Sequence, residues 1–163
     1  MSFRTRVGQG FDVHRFVEGP SDRVLVLGGV KFPNEKPLVG HSDADVIAHA
    51  VADALLGAAA LGDIGMHFPD TDPKWAGADS LTLLACVAQL VREAGYEIGN
   101  VDCSVVCEKP KIAPYREAMQ KLLSNAAGAQ ITVKGRRAEQ LGALGREEGI
   151  ACWAVAVIER TQS

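Results

Sequence analysis

The stretch DADVIAHAVADALLGAAA, residues 43–60, constrains this chain more than any other segment. It is rich in alanine and leucine and no proline interrupts it, so its residues favour a helix throughout. Ser42 is well suited to cap that helix, with Asp45 three residues on as an acidic version of the capping-box partner. Acidic residues in the first turn also suit the positive end of the helix dipole.

The elements around it follow from periodicity and turn residues. Residues 3–14 read as a strand, and residues 23–32 (RVLVLGGVKF) as a second one paired with the first across the turn EGPSD. Residues 61–79 carry clustered glycines, prolines and acids and predict little regular structure; so long a loop in a compact domain is usually functional. A second helix is expected over Ser80–Gly95, apolar through Leu81, Leu84, Ala85, Val87 and Val91. Residues 99–107 form a strand with Val101, Cys103, Val105 and Cys107 on one face, and residues 115–127 a third helix. Ile131–Lys134 and Gly149–Glu159 are the last strands. The segment ACWAVAVI is apolar on both faces, as in a strand buried on both sides. This order predicts an α+β, two-layer architecture, with about three helices on one side of a mixed sheet. No repeat or linker divides residues 1–163, so one domain is expected.

Composition narrows the function classes. The formal net charge of −3 offers no basic excess for nucleic acid or an anionic membrane surface. No run of about 18 apolar residues predicts a transmembrane helix, and MSFRTRVGQGFDVHRF lacks the apolar core of a leader. Cys86, Cys103, Cys107 and Cys152 show no CxxC spacing. Free thiols in the cytoplasm are the simplest reading.

The chemistry-bearing residues cluster. On a strand, Asp12 and His14 point to the same side, and a carboxylate beside an imidazole suits zinc or a similar metal. Alone, Asp-x-His is equally a turn acid and a surface histidine. The run His41-Ser42-Asp43-Ala44-Asp45 with His49 says more: Asp45 and His49 share a helix face, and His41 lies by a helix start that favours anions. Asp12, His14 and His49 together make a three-ligand set with an open fourth position, the pattern of catalytic zinc. The alternative is a satisfied core histidine at 49. Gly62 to Gly65 and Phe68 to Asp72 suit a sugar or a hard cation, or are an ordinary loop of Asx turns. Lys111 meets a phosphate or is solvated. Lys134, Arg136, Arg137 and Arg146, with Glu139, form a basic stretch suited to phosphates, though charge runs are often only solvated faces.

GQGFDVHRF, LGGVKFP, HSDADV with its following His49, DALLGAAALGDIGMHFPDTDP, GNVD, PKI and LGALGREEGIAC occur here in one order. From Arg6 to about Glu159 the chain thereby resembles the 2-C-methyl-D-erythritol 2,4-cyclodiphosphate synthase family of the non-mevalonate isoprenoid pathway. The resemblance implies a lyase in which the 2-phosphate of a cytidine-diphosphate-linked methylerythritol attacks the β-phosphate and CMP leaves. It implies zinc on Asp12, His14 and His49, with Asp45 orienting a neighbouring group. His41 and Ser42 would contact phosphate, His41 stabilising developing charge. Asp12, Val13 and His14 would bind substrate, and Asp63, Ile64, Gly65, Phe68, Pro69, Asp70, Thr71 and Asp72 would surround the sugar. Cys107, Glu108, Lys109, Pro110, Lys111, Ile112 and Ala113 would form the cytosine pocket. Glu139 would hold a second cation, magnesium or manganese, and Arg136 and Arg146 would contact phosphate. A homotrimer is implied, its sheets facing the threefold axis and its active sites between subunits, the 61–79 loop facing a neighbour's loop. The axis is left open to an isoprenoid diphosphate. The chain departs from the family in Arg136-Arg137-Ala138, where hydroxyl residues are usual, and in Ala143, usually aromatic. Arg137 stands at the transition-state-stabilising position. The departure admits one rival, a zinc-binding relative with altered or lost turnover; a second is a zinc phosphohydrolase that admits water at the metal.

Overall fold

A computed structural model describes residues 4–161. Strand β1 (Thr5–Arg15) runs antiparallel to β6 (Gly149–Arg160), with Thr5 opposite Glu159 and Arg15 opposite Gly149. β6 pairs antiparallel with β4 (Tyr96–Val106), which pairs parallel with β5 (Gln130–Arg136). The mixed sheet therefore has the order β1-β6-β4-β5. The parallel step is bridged by helix α4 (Arg116–Ala127), as parallel strands require a crossover. The expected mixed sheet with helices on one side is present.

Residues 23–32 depart from expectation. They form two short strands, β2 (Leu25–Leu27) and β3 (Val30–Phe32), paired with each other and not with β1. Gly28 and Gly29 both have positive φ, 57° and 78°, and turn the chain back between them. Helix α1 spans Val46–Ala59, and its N-cap is Asp45, not Ser42. Ala44 has φ 60°, which stops helical geometry from starting earlier. The Asp45 side chain accepts from Ile47 and Ala48 N–H at 3.1 and 3.2 Å, and from Gly28 and Gly29 N–H at 2.8 and 2.7 Å. It clamps the β2–β3 turn onto the helix start. Asp45 is thus turned away from His49, contrary to the shared face expected of it.

α1 lies on β1 and β6 and is covered by α3 (Ser80–Glu93), so most of its residues are buried, including Val46, Ile47, Val51, Leu55 and Leu56. α3 buries Leu83, Leu84, Val87, Ala88 and Val91; Ala85, expected inward, is exposed and Leu81 only half-buried. The 61–79 segment holds only α2 (Ile64–His67) and one 3-10 turn at Pro73–Trp75. α5 (Gly142–Gly145) precedes β6. Among the described residues, no helix is long and apolar enough to cross a membrane.

Alternation along β1 assigns its faces. Gly8, Gly10, Asp12 and His14 face the helical layer; Val7, Phe11 and Val13 face away and are 65%, 44% and 50% exposed. On β6, Cys152, Ala154, Ala156 and Ile158 are buried, while Trp153 and Val155 are exposed. The segment expected to be buried on both faces is therefore covered on only one within this chain. Phe11 and Trp153 rings meet at 4.9 Å on the open face.

Candidate active site

The end of β1 and the first turn of α1 meet over the sheet. Asp12 Oδ2 lies 3.0 Å from His14 Nε2 and 3.0 Å from His49 Nδ1, and the two imidazole nitrogens are 3.3 Å apart. Among the described residues, Asp12, His14 and His49 form the one cluster with donor atoms converged for a metal, all within 4.8 Å of one another. His14 Nδ1 lies 2.7 Å from the Val39 carbonyl. A carbonyl only accepts, so Nδ1 carries a proton in either charge state, and Nε2, facing Asp12, is the nitrogen whose proton a metal would replace. Carboxylate oxygen and imidazole nitrogen are donors zinc accepts, and three of them leave a fourth position free. The residues fit the ion.

Burial disfavours the Asp12 carboxylate, but hydrogen bonds to and the charges of His14 and His49 outweigh it. Its carboxyl is held well below the usual carboxylate range. At His14, burial opposes protonation, but the Asp12 hydrogen bond and charge reverse this and lift its pKa above the ordinary 6.5. A metal must displace the His14 proton. Zinc affinity should therefore weaken as pH falls through a value above 6.5. Chelator competition from about pH 8 to about pH 5.5 checks this. A flat profile would remove His14 from the ligand set.

The triad lies in the wall of a cavity of about 450 Å³, shared with His41, Ser42, Ile64, Gly65, Phe68, Pro69 and Asp70. Asp53, one turn beyond His49 on α1, accepts from Ile64 N–H at 2.7 Å and holds α2 over the opening. Gly40, Trp75 and Leu83 also line it and were not expected. Not every expected residue lines it. Val13 projects from the opposite face of β1. Asp63 and Asp72 cap short turns, accepting from Met66 and Lys74 N–H, and neither they nor Thr71 line the cavity. His41 lies four residues before the N-cap, with Nε2 3.1 Å from the Asp72 carbonyl, and not at the helix start.

A second hollow of about 170 Å³ is lined by Cys107, Glu108, Pro110, Lys111, Ile112, Ala113, Arg116, Gly135, Arg136 and Arg137. Parallel pairing sets Val106 beside Arg136, so the residues following β4 and β5 meet. Glu108 Oε1 accepts from Ala138 N–H at 2.9 Å and Gln140 N–H at 3.4 Å, tying the two segments together. Arg116 was not expected. Lys109 pairs instead with Glu147, Arg146 with Glu148, and Lys134 with Asp102. Lys134 and Arg136 both belong to β5, so the basic stretch is not one loop. Glu139, at φ 53°, lines neither space.

The sequence reading missed Ser80 and gave Asp43 no role. Ser80 Oγ lies 2.8 Å from His49 Nε2, and its hydroxyl bonds to Asp43. No local pattern links positions 31 residues apart.

The model of the YgbB family matches residues 5–159. The chain belongs to the YgbB family. It is 53% identical over 161 residues to the 2-C-methyl-D-erythritol 2,4-cyclodiphosphate synthase of Geobacillus thermodenitrificans, covering 97% of this chain and 99% of that one. It is 54% identical over 158 residues to the protein of the same name from Bacillus cereus, covering 95% and 98%. Among solved structures, the bifunctional IspDF of Campylobacter jejuni superposes with a TM-score of 0.91 at 41% identity. That match takes in 99% of this chain but 44% of the longer protein. A CDP complex of Plasmodium falciparum IspF matches 99% of this YgbB-family chain and all of its own, with a TM-score of 0.84 at 34% identity.

Proposed function

We propose that this chain converts 4-diphosphocytidyl-2-C-methyl-D-erythritol 2-phosphate to 2-C-methyl-D-erythritol 2,4-cyclodiphosphate and CMP. The observation that carries the reading is the converged Asp12, His14 and His49 donor set, in a chain 53% identical along 97% of its length to a synthase of that name. A 2-phosphate oxygen forms a bond to the β-phosphorus. The bond from that phosphorus to the oxygen bridging it to the α-phosphorus breaks, and CMP leaves with that oxygen. No water enters, so the enzyme is a phosphorus–oxygen lyase whose task is positioning and charge stabilisation.

When bound, zinc on Asp12, His14 and His49 supplies polarisation of the β-phosphate. His41 and Ser42, beside the triad in the cavity wall, contact that phosphate. Ile64, Gly65, Phe68, Pro69 and Asp70 enclose the methylerythritol. The hollow at Cys107–Ala113 takes the cytidine, with Arg136 and Arg137 on its phosphates; the CDP complex of the Plasmodium falciparum relative supports such a ligand. Glu139 is assigned magnesium or manganese, hard cations suited to carboxylate and phosphate oxygens. A cytoplasmic setting belongs to the same reading.

The two spaces share no lining residue and lie toward the two edge strands, β1 and β5. Three strand spacings, about 14 Å, separate those edges. One copy's metal cavity facing another's cytidine hollow would join them. The exposed Val7, Phe11, Val13, Trp153 and Val155 give the sheet an apolar face that such an assembly would bury. We therefore assign a homotrimer with these faces toward the axis.

Phosphorus NMR of the products, with zinc and magnesium present, tests the reading. A cyclic diphosphate with stoichiometric CMP is expected. Linear phosphates would indicate a hydrolase. No turnover by a zinc-loaded trimer would indicate a binding protein that lost its chemistry at Arg136-Arg137-Ala138. Arg137→Thr should leave turnover equal or higher. A loss beyond about tenfold, ~1.4 kcal/mol of barrier, would make Arg137 essential.

A further inference from the structure

We infer that Asp43 and Ser80 form a positioning relay that decides which nitrogen of His49 faces the metal and frees the Ser42 hydroxyl proton for substrate. The inference rests on the metal-site reading above. The relay starts at Asp43, which accepts the Ser80 hydroxyl and, at 3.1 Å each, the Ser80 and Asp45 N–H groups. A carboxylate only accepts, so the Ser80 proton is committed to Asp43. The Ser80 oxygen, 2.8 Å from His49 Nε2, must then accept, and the His49 proton resides on Nε2. With a metal bound, Nδ1 would then be left as a lone pair, and Asp12 Oδ2, 3.0 Å away, would be a fellow ligand and not the acceptor of an Nδ1 proton.

Ser42 alone does not impose this. Its Oγ lies 3.1 Å from the same Nε2 and accepts from Ala44 N–H at 3.2 Å. A free hydroxyl there can accept from a protonated Nε2 or donate to a bare one, so both tautomers would be open. The second would put a proton on Nδ1, where the metal binds. With Ser80 holding the Nε2 proton, Ser42 has no acceptor in His49, and its hydroxyl proton is available to the cavity it lines. Partners of this kind orient a ligating histidine and affect affinity through it.

Ser80 is separable from folding because Asp79, not Ser80, caps α3, accepting from Leu81 N–H at 3.0 Å. The test compares Ser80→Ala and Ser80→Thr by chelator competition for zinc, with nitrogen NMR of labelled histidine in the zinc-loaded protein. Ser80→Ala should weaken zinc about 10- to 100-fold, and Ser80→Thr, which keeps the hydroxyl, should restore most of it. In the unsubstituted protein, His49 should show a protonated, slowly exchanging Nε2 that exchanges faster in Ser80→Ala. Wild-type affinity and exchange in Ser80→Ala would overturn the relay. So would equal zinc loss in Ser80→Thr, which would assign the effect to packing. If Ser80→Ala does not fold, the unsubstituted protein decides alone: a proton on His49 Nδ1 and metal on Nε2 would end the proposal. His49→Ala runs in parallel. If it keeps zinc, the metal-site reading fails; if it loses zinc while Ser80→Ala does not, only the relay fails.

Discussion

Replacing His49 with alanine is expected to abolish zinc binding and turnover together. His49 Nδ1 lies 3.0 Å from Asp12 Oδ2 and 3.3 Å from His14 Nε2, so its loss leaves two donors where three converged. Two donors without the third hold zinc poorly at neutral pH, the more so because His14 already keeps its proton above the ordinary range. Turnover should fall about a thousandfold or more, at least ~4 kcal/mol of barrier. The fold should survive. Alanine suits a helix interior better than histidine, and the helix's hold on the core runs through neighbours such as Ile47, Val51, Leu55 and Leu56. Circular dichroism, zinc content and phosphorus NMR on one preparation check the three claims. Stoichiometric zinc in a folded variant would show that the ligand set is misassigned.

The candidate metal triad was legible because each member lies in a regular element whose period is known. Alternation puts Asp12 and His14 on one face of β1, and an uninterrupted Ala/Leu run announces α1 around His49. What escaped notice depends on which side chains tertiary packing brings together. Asp45 looked like a companion of His49 by spacing, yet the glycine turn at Gly28-Gly29 presents two N–H groups that claim its carboxylate. Once Asp45 is occupied there, Asp43 holds Ser80, and Ser80 reaches His49. Residues 23–32 read as one strand because the apolar run hides a two-glycine reversal. The basic stretch looked uniform, but Lys134 is taken up by Asp102 of the neighbouring strand, while Arg136 and Arg137, at the end of β5, line the hollow. A hollow does form where resemblance put the cytosine pocket, at Cys107, Glu108 and Pro110 to Ala113, and the parallel β4–β5 pairing is its physical cause.

Gly10→Ala should cost more stability than its single methyl suggests and should weaken zinc from a distance. Gly8 and Gly10 share the β1 face with Asp12 and His14, and there the α1 backbone comes down onto the strand. A Cβ at residue 10 would stand 2.0 Å from the Ala50 carbonyl oxygen and 2.7 Å from the Ala54 nitrogen. Both obstacles are helix backbone, so no side-chain rotation relieves them. Side-chain carbons keep at least 3.0 Å from such atoms, so α1 must retreat by about 1 Å (3.0 − 2.0) along its contact with β1. That opens the packed interface shared by Ala50, Ala54 and Ala156, at an expected cost of ~3 kcal/mol or more. For a chain this size the melting temperature should fall by about 10 °C. Because His49 rides on α1 beside Ala50, the same retreat separates it from Asp12 and His14, and zinc affinity should drop although no ligand has changed. Gly57→Ala is the control on the same helix. Its nearest neighbour would be the Gln9 carbonyl oxygen at 3.8 Å, so it should be neutral or stabilise by ~0.5–1 kcal/mol. Equal melting of Gly10→Ala and the unsubstituted protein would mean that the helix is not held to the strand at backbone distance, and that something other than these glycines brings His49 to the metal.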